Sequence, residues 1–289
     1  MSLNIEPSVV SNKSLVKKKK RNPYLDIWYR LIQNKMALVS LIFLVLLILV
    51  ALFAPLIAPF GYKEQNLDII LQAPSAAHWF GTDEYGRDVL SRMIYGSRIS
   101  LEVGFVAVCF SVLLGGIIGA VSGYYGRTID NIFMRLMDIL LAIPGILLAI
   151  AIVSALGPGL MNVMIAVGIA SIPTYARIVR ASVLSIRDQE FIESARAIGE
   201  RDSAIIFKYI LPNCLAPIIV QSTLGVAWAI LSAAGLSFLG LGLQPPTPEW
   251  GAMLSEGREY IFDAYWVTTF PGLAIVFVVL SLNIFGDGL

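Results

Sequence analysis

What most constrains this chain is a series of long apolar runs, near residues 36–57, 101–123, 136–156, 160–179, 214–236 and 267–285. A hydrocarbon core of about 30 Å takes about 20 helical residues at 1.5 Å each. Inside it every backbone amide must be bonded within its own segment, so runs of this kind become helices. With 57% hydrophobic and 14% charged residues, the chain has the profile of a membrane protein rather than of a soluble domain. The expected fold is all-α, a polytopic membrane protein with six transmembrane helices.

The basic residues orient these spans. Sixteen of the 21 Lys and Arg fall on one side of the six-span arrangement and five on the other. The excess belongs in the cytoplasm, which places both termini and the 180–212 loop there. Residues 1–23, with Lys17, Lys18, Lys19, Lys20 and Arg21, read as a disordered basic cytoplasmic tail. Residues 24–59 read as an interfacial helix carrying Tyr24, Ile27, Trp28, Leu31 and Ile32 at helical spacing, followed by the first span. Residues 60–100 form an external loop, and residues 101–289 the transmembrane core. A net charge of +1 implies no nucleic-acid partner.

Several single residues carry local expectations. Pro144 and Pro173 should kink their spans. Gly115 and Gly119 make a small-xxx-small pair that admits a close helix neighbour. Asp83 should cap the second span, with Glu84 and Asp88 in its first turn. Asp138, at some membrane depth, should pair with Arg135 or a neighbouring chain. Cys109 and Cys214 read as buried small hydrophobes. His78 is the single histidine, with no cysteine or second histidine near it, so no metal site is expected. There is no Gly-x-x-x-x-Gly-Lys-[Ser/Thr] loop and no histidine placed for a nucleophilic triad, so no catalytic residue or cofactor is expected.

The 180–212 loop is too charged to lie in hydrocarbon. Its composition favours a helix over about 190–204, which Gly199 stops or bends. Within it stand Glu193, Ser194, Ala195, Arg196, Ala197 and Gly199, then Leu211 and Pro212. Glu193 suits a first turn and can pair with Arg196 one turn on.

This string resembles the EAA loop of ABC-importer permeases, with Ser194 where alanine is usual and Tyr209 where isoleucine is usual. Gly81-Thr82-Asp83-x-x-Gly86-Arg87-Asp88 is similar to the segment before the second span in the dipeptide, oligopeptide and nickel branch of that family. Gly235 to Gly242, Pro248-x-Trp250-Gly251 and Gly286-Asp287-Gly288-Leu289 extend the likeness over nearly the whole chain. The family usually runs past this last string into a short charged tail, which leaves any tail contact with the ATPase open.

The resemblance implies a type I ABC-importer-like permease in the cytoplasmic (inner) membrane of a prokaryote. It implies ATP-driven import of dipeptides, oligopeptides or a related small solute, without an ATPase site in this chain. The implied partners are a homologous second permease subunit forming a heterodimer, two cytoplasmic ABC ATPase subunits and an extracytoplasmic substrate-binding protein, all in a lipid bilayer. The residues implied to couple to the ATPases are Glu193, Ser194, Ala195, Arg196, Ala197, Gly199, Leu211 and Pro212. Nickel-chelate or glutathione import stays open as an alternative. An ion-coupled secondary transporter or a membrane scaffold is the reading from another class. Sparse intramembrane polar groups argue against the former.

Overall fold

The structure is a computed structural model that describes residues 33–289. The basic tail and the interfacial helix expected before Lys35 lie outside those residues. Helix α1 (Lys35–Leu52) starts where the Asn34 side chain accepts a hydrogen bond from the Ala37 amide. Its apolar surface is mostly exposed, with Val39, Ile42, Leu46 and Leu49 open to the surroundings, as hydrocarbon-facing residues are. A short turn, α2 (Ala54–Ile57), follows at Pro55.

Among the described residues five helices are long and apolar enough to cross a membrane: α1, α3 (Val89–Tyr125), α6 (Leu160–Ile186), α9 (Leu215–Phe238, entered through 202–214) and α11 (Trp266–Asp287). The sixth crossing is not one helix. The run expected at 136–156 is split into α4 (Arg127–Leu141) and α5 (Gly145–Leu156), bent by 87°. Pro144 lacks an N–H and disfavours helical geometry at Ile143, so the ladder breaks rather than kinks. Pro173, by contrast, sits inside an unbroken α6. Among the described residues no strand forms; a single bridge joins Thr82 to Asp88.

Helices α3 and α6 make the most extensive contact in the fold. The glycines explain it: a Cβ on Gly115 would stand 2.7 Å from the Ile172 carbonyl, and one on Gly119 would collide with the Ala176 carbonyl. Where backbones approach this closely, hydrogen bonds across helices form. Ser111 Oγ donates to the Gly168 carbonyl at 2.8 Å, a bond worth about 0.6 kcal/mol in membrane proteins.

Three further expectations are corrected. The external segment is not loop up to residue 100, because α3 begins at Val89. With 37 residues it is about 55 Å long, so it projects beyond the bilayer. Its N-cap is Asp88, whose Oδ2 accepts the Ser91 amide at 2.7 Å, and not Asp83. Asp138 pairs with Arg177 of α6 at 2.5 Å rather than with Arg135, although the i, i+3 spacing on α4 would also allow the local pair.

Candidate functional site: the cytoplasmic loop and the external clasp

In the cytoplasmic loop, α7 (Glu190–Ala197) is two turns long. It is shorter than the 190–204 helix expected, and Gly199 is the reason. Gly199 has φ +81°, its amide bonds to the Arg196 carbonyl at 3.0 Å, and the Glu200 amide bonds to the Ala195 carbonyl at 3.1 Å. That reciprocal pair is a Schellman end, and the left-handed residue it requires is best supplied by glycine. The chain restarts at α8 (Asp202–Ala204) and passes through a π-type turn (Ile205–Ile210) and a 3-10 turn (Leu211–Cys214) into α9.

One face of α7 is buried. Ile192 and Ala195 pack with Tyr124, Val179, Val183, Ile205, Ile210 and Ile218, which joins α7 to the inner ends of α3, α6 and α9. Arg196 lies over the Tyr124 ring, 5.2 Å from its centroid, and the Tyr124 hydroxyl donates to Asp202 at 2.7 Å. Lys208 adds an exposed pair with Glu200 at 3.5 Å. The opposite face is open: Glu193, Ser194, Ala197 and Gly199 are exposed, together with Phe191 and Ile198. Ala195 is therefore an anchor toward the protein, while Pro212 is exposed and Leu211 half-buried. No ion pair between Glu193 and Arg196 forms among the described residues, because Arg196 is turned to Tyr124.

The opposite end of the molecule is tied by buried charge. Asp83 Oδ1 accepts the Tyr85 and Arg87 amides, each at 2.9 Å. Its Oδ2 accepts Arg87 Nε at 2.6 Å and Arg92 at 3.0 Å. Both guanidiniums then reach across to Glu256 Oε2 of α10 (Trp250–Gly257), at 2.9 Å each, and Arg87 also holds Glu84 at 3.0 Å. Arg87 and Arg92 are only 1% exposed. Burial raises the carboxyls of Asp83 and Glu256 despite these arginines. Burial, reinforced by the neighbouring Asp83 charge, raises Glu84 to about 7. One oxygen each of Glu84 and Glu256 is buried without a hydrogen-bond partner among the described residues. Three carboxyls against two guanidiniums leave one negative charge, and a proton on Glu84 removes it.

The rest of α10 is docked just as firmly. Glu249 caps it by accepting the Gly251 and Ala252 amides at 2.9 Å, and Trp250 Nε1 donates to the Met93 carbonyl of α3 at 3.1 Å. The lone histidine bonds Asp88 at 2.9 Å.

Residues 112–289 match the model of the binding-protein-dependent transport system inner membrane component family, and residues 22–74 match that of the N-terminal TM domain of oligopeptide transport permease C. The chain belongs to this family of permeases. It is 52% identical to the dipeptide transport system permease protein DppC of Alkalihalophilus pseudofirmus, over 93% of this chain and 88% of that one. It is 46% identical to a di/tripeptide transport system permease of Pseudomonas aeruginosa, over 93% and 90%. It is 48% identical to the glutathione transport system permease protein GsiD of Escherichia coli, over 93% and 89%. Its fold is similar to a chain of the inward-facing MetNI methionine ABC transporter, with a TM-score of 0.55 at 22% identity over 68% of this chain and 93% of that one.

In the permease, Glu193, Ser194, Ala195, Arg196 and Ala197 stand on α7, Gly199 lies two residues past its end, and Leu211 and Pro212 fall in the 3-10 turn before α9. The external clasp was missed. Its partners are 164 and 169 residues apart, and only the clustering of Arg87 and Arg92 on the side poor in basic residues hinted at them.

Proposed function

We propose that this permease is one subunit of an ATP-driven importer of small peptides in the inner membrane of a bacterium. ATP is hydrolysed by two partner ATPases, peptide is delivered by an external binding protein, and a second homologous permease completes the pathway. The observation that carries this reading is the two-faced helix α7. Ile192 and Ala195 lock it to three spans, while Phe191, Glu193, Ser194 and Ile198 are presented to the cytoplasm. An element buried on one side and open on the other moves the spans when a partner moves it. The substrate reading rests on relatives whose names give dipeptides and di/tripeptides. Glutathione, itself a tripeptide, is favoured as a second substrate by the 48% identical relative. The test is reconstitution of the permease with its partner subunits in proteoliposomes. Binding-protein-dependent uptake of labelled di- and tripeptides, driven by ATP, is the expected result; no peptide uptake by an ATP-hydrolysing complex would overturn the substrate reading.

A further inference from the structure

Deep in the bilayer, one patch of this permease is polar where its surroundings are not. On α6, Ser171, Thr174 and Arg177 recur every three residues, and on α9, Gln221, Gly225 and Trp228 recur at four and three, so each set shares one helix face. The two faces meet in a hollow of about 260 Å³, lined by Ser171, Thr174, Gln221 and Trp228 among others. Thr174 lies about 21 Å along α6 from its outer end, and Gln221 about 9 Å along α9 from its inner end, so both sit in the cytoplasmic half of the membrane. Ser171 Oγ is satisfied by the Val167 carbonyl at 3.0 Å, and Tyr175 donates its hydroxyl to the Gln221 backbone carbonyl at 3.3 Å. Gly225 permits that reach, because a Cβ there would occupy the place of the Tyr175 hydroxyl. The Gln221 carboxamide, the Thr174 hydroxyl and the Trp228 indole N–H make no hydrogen bond among the described residues. Thr174 is exposed and Trp228 is 53% exposed.

Polar groups left open at this depth cannot face acyl chains without a heavy penalty. A concave space with room for several waters, at about 30 Å³ each, is a wet surface rather than a helix-packing one. We infer that the Thr174–Gln221–Trp228 hollow is a peptide-contacting station on the transport route, which hydrogen-bonds the main-chain amides of the passing substrate. A carboxamide donates and accepts, as does a hydroxyl, which matches the N–H and C=O of each peptide unit. No charged side chain lines the hollow, so it takes peptides irrespective of side-chain charge. One helical turn toward the cytoplasm the exposed Arg177–Asp138 pair continues the polar track. The inference rests on the peptide reading above and adds where the permease touches its cargo.

The experiment uses the full reconstituted complex. In a Cys109→Ala background, Thr174→Cys is treated with a charged, membrane-impermeant thiosulfonate, alongside Ile42→Cys on the exposed apolar face of α1 and Ser203→Cys in the cytoplasmic loop. Thr174→Cys should react in step with Ser203→Cys and be shielded by a translocating tripeptide, while Ile42→Cys stays unmodified. Gln221→Leu should lower peptide delivered per ATP hydrolysed by about tenfold, the factor carried by about 1.4 kcal/mol, and Gln221→Asn should restore most of it. An unreactive Thr174→Cys beside a reactive Ser203→Cys would mean that the face is covered by the second permease or by lipid, and would overturn the inference. So would full peptide delivery by Gln221→Leu. If wild type itself carried no peptide, the substrate reading would fall, and the labelling would still decide whether the hollow is wet.

Discussion

The two ends of the permease are built on opposite plans. Outside, the 80–92 segment and α10 are joined by guanidiniums that are almost wholly buried, and their carboxylate partners come from both elements. Inside, α7 is held by one apolar face and a cation over a ring, and its ions stand in water. Buried ion pairs cannot be opened one at a time without stranding a charge, whereas an apolar face slides or tilts at modest cost. The external end therefore suits a fixed clamp on α3, α10 and α11, and the cytoplasmic end suits a lever. The contrast also says where substitutions should hurt folding and where they should hurt coupling.

The largest effect is expected at the clamp. Arg92→Ala would leave Asp83 and Glu256 facing one guanidinium instead of two, at a cost of about 3–5 kcal/mol for breaking a buried pair. Thermal unfolding of the purified permease in detergent would show it as a markedly lowered midpoint. A midpoint equal to wild type would mean that the external end is no more rigid than the lever.

Next in size is the response of the clamp to pH. Glu84 is raised from 4.5 to about 7, by burial first and by the Asp83 charge second. A raised carboxyl binds its proton more tightly in the folded state. Its contribution is fully present below about pH 4.5 and is lost as pH rises to about 7, a change of about 3 kcal/mol at 1.36 kcal/mol per unit. The side chain is 11% exposed, so solvent screening reduces this little. The unfolding midpoint of wild type should fall between pH 5 and 7 and flatten above, while Glu84→Gln, which cannot ionise, should show a shallower slope. Parallel slopes would place the titrating proton on another group.

At the lever, Gly199→Val should cost only about 1–2 kcal/mol, the penalty for a side chain at φ +81°, because nothing lies within 4 Å of the added carbon. The permease should insert at normal abundance and lose uptake, since the turn that aims α7 would be rebuilt. Normal uptake at normal abundance would show that the Schellman end is dispensable for coupling.

How much of this was legible beforehand follows the same division. Apolar runs set their own helices by hydrogen-bond necessity, so the spans could be read from composition, and Gly199 could be read from its conformational freedom. Helix ends were less readable. Pro144 was expected to kink its span and instead breaks it, because it disfavours helical geometry at Ile143 and itself becomes the N-cap of α5. Asp83 looked like a cap, yet its lone pairs are claimed by Arg87 and Arg92 while Asp88 caps. Glu256, which completes the set by accepting from the same two arginines, is connected to the 80–92 segment by no local pattern.

Glu193→Gln should have the smallest effect on the fold. In the first turn of α7 its charge is favoured by the backbone dipole, at about 0.3–1 kcal/mol before solvent screening. The side chain is exposed and forms no ion pair among the described residues, so none of them holds it. An amide in its place keeps the shape and loses only the charge. Unfolding should be unchanged within a few tenths of a kcal/mol, in line with exposed surface charges. If α7 docks into a basic groove on an ATPase, the same change removes a charge-assisted hydrogen bond from that interface, on the order of 1–3 kcal/mol. ATP hydrolysis stimulated by loaded binding protein should then fall in reconstituted membranes while the fold does not. Stimulation equal to wild type would shift the docking contact to the neighbouring apolar surface, where Phe191 and Ile198 are exposed, and Phe191→Ala would become the substitution that separates lever from clamp.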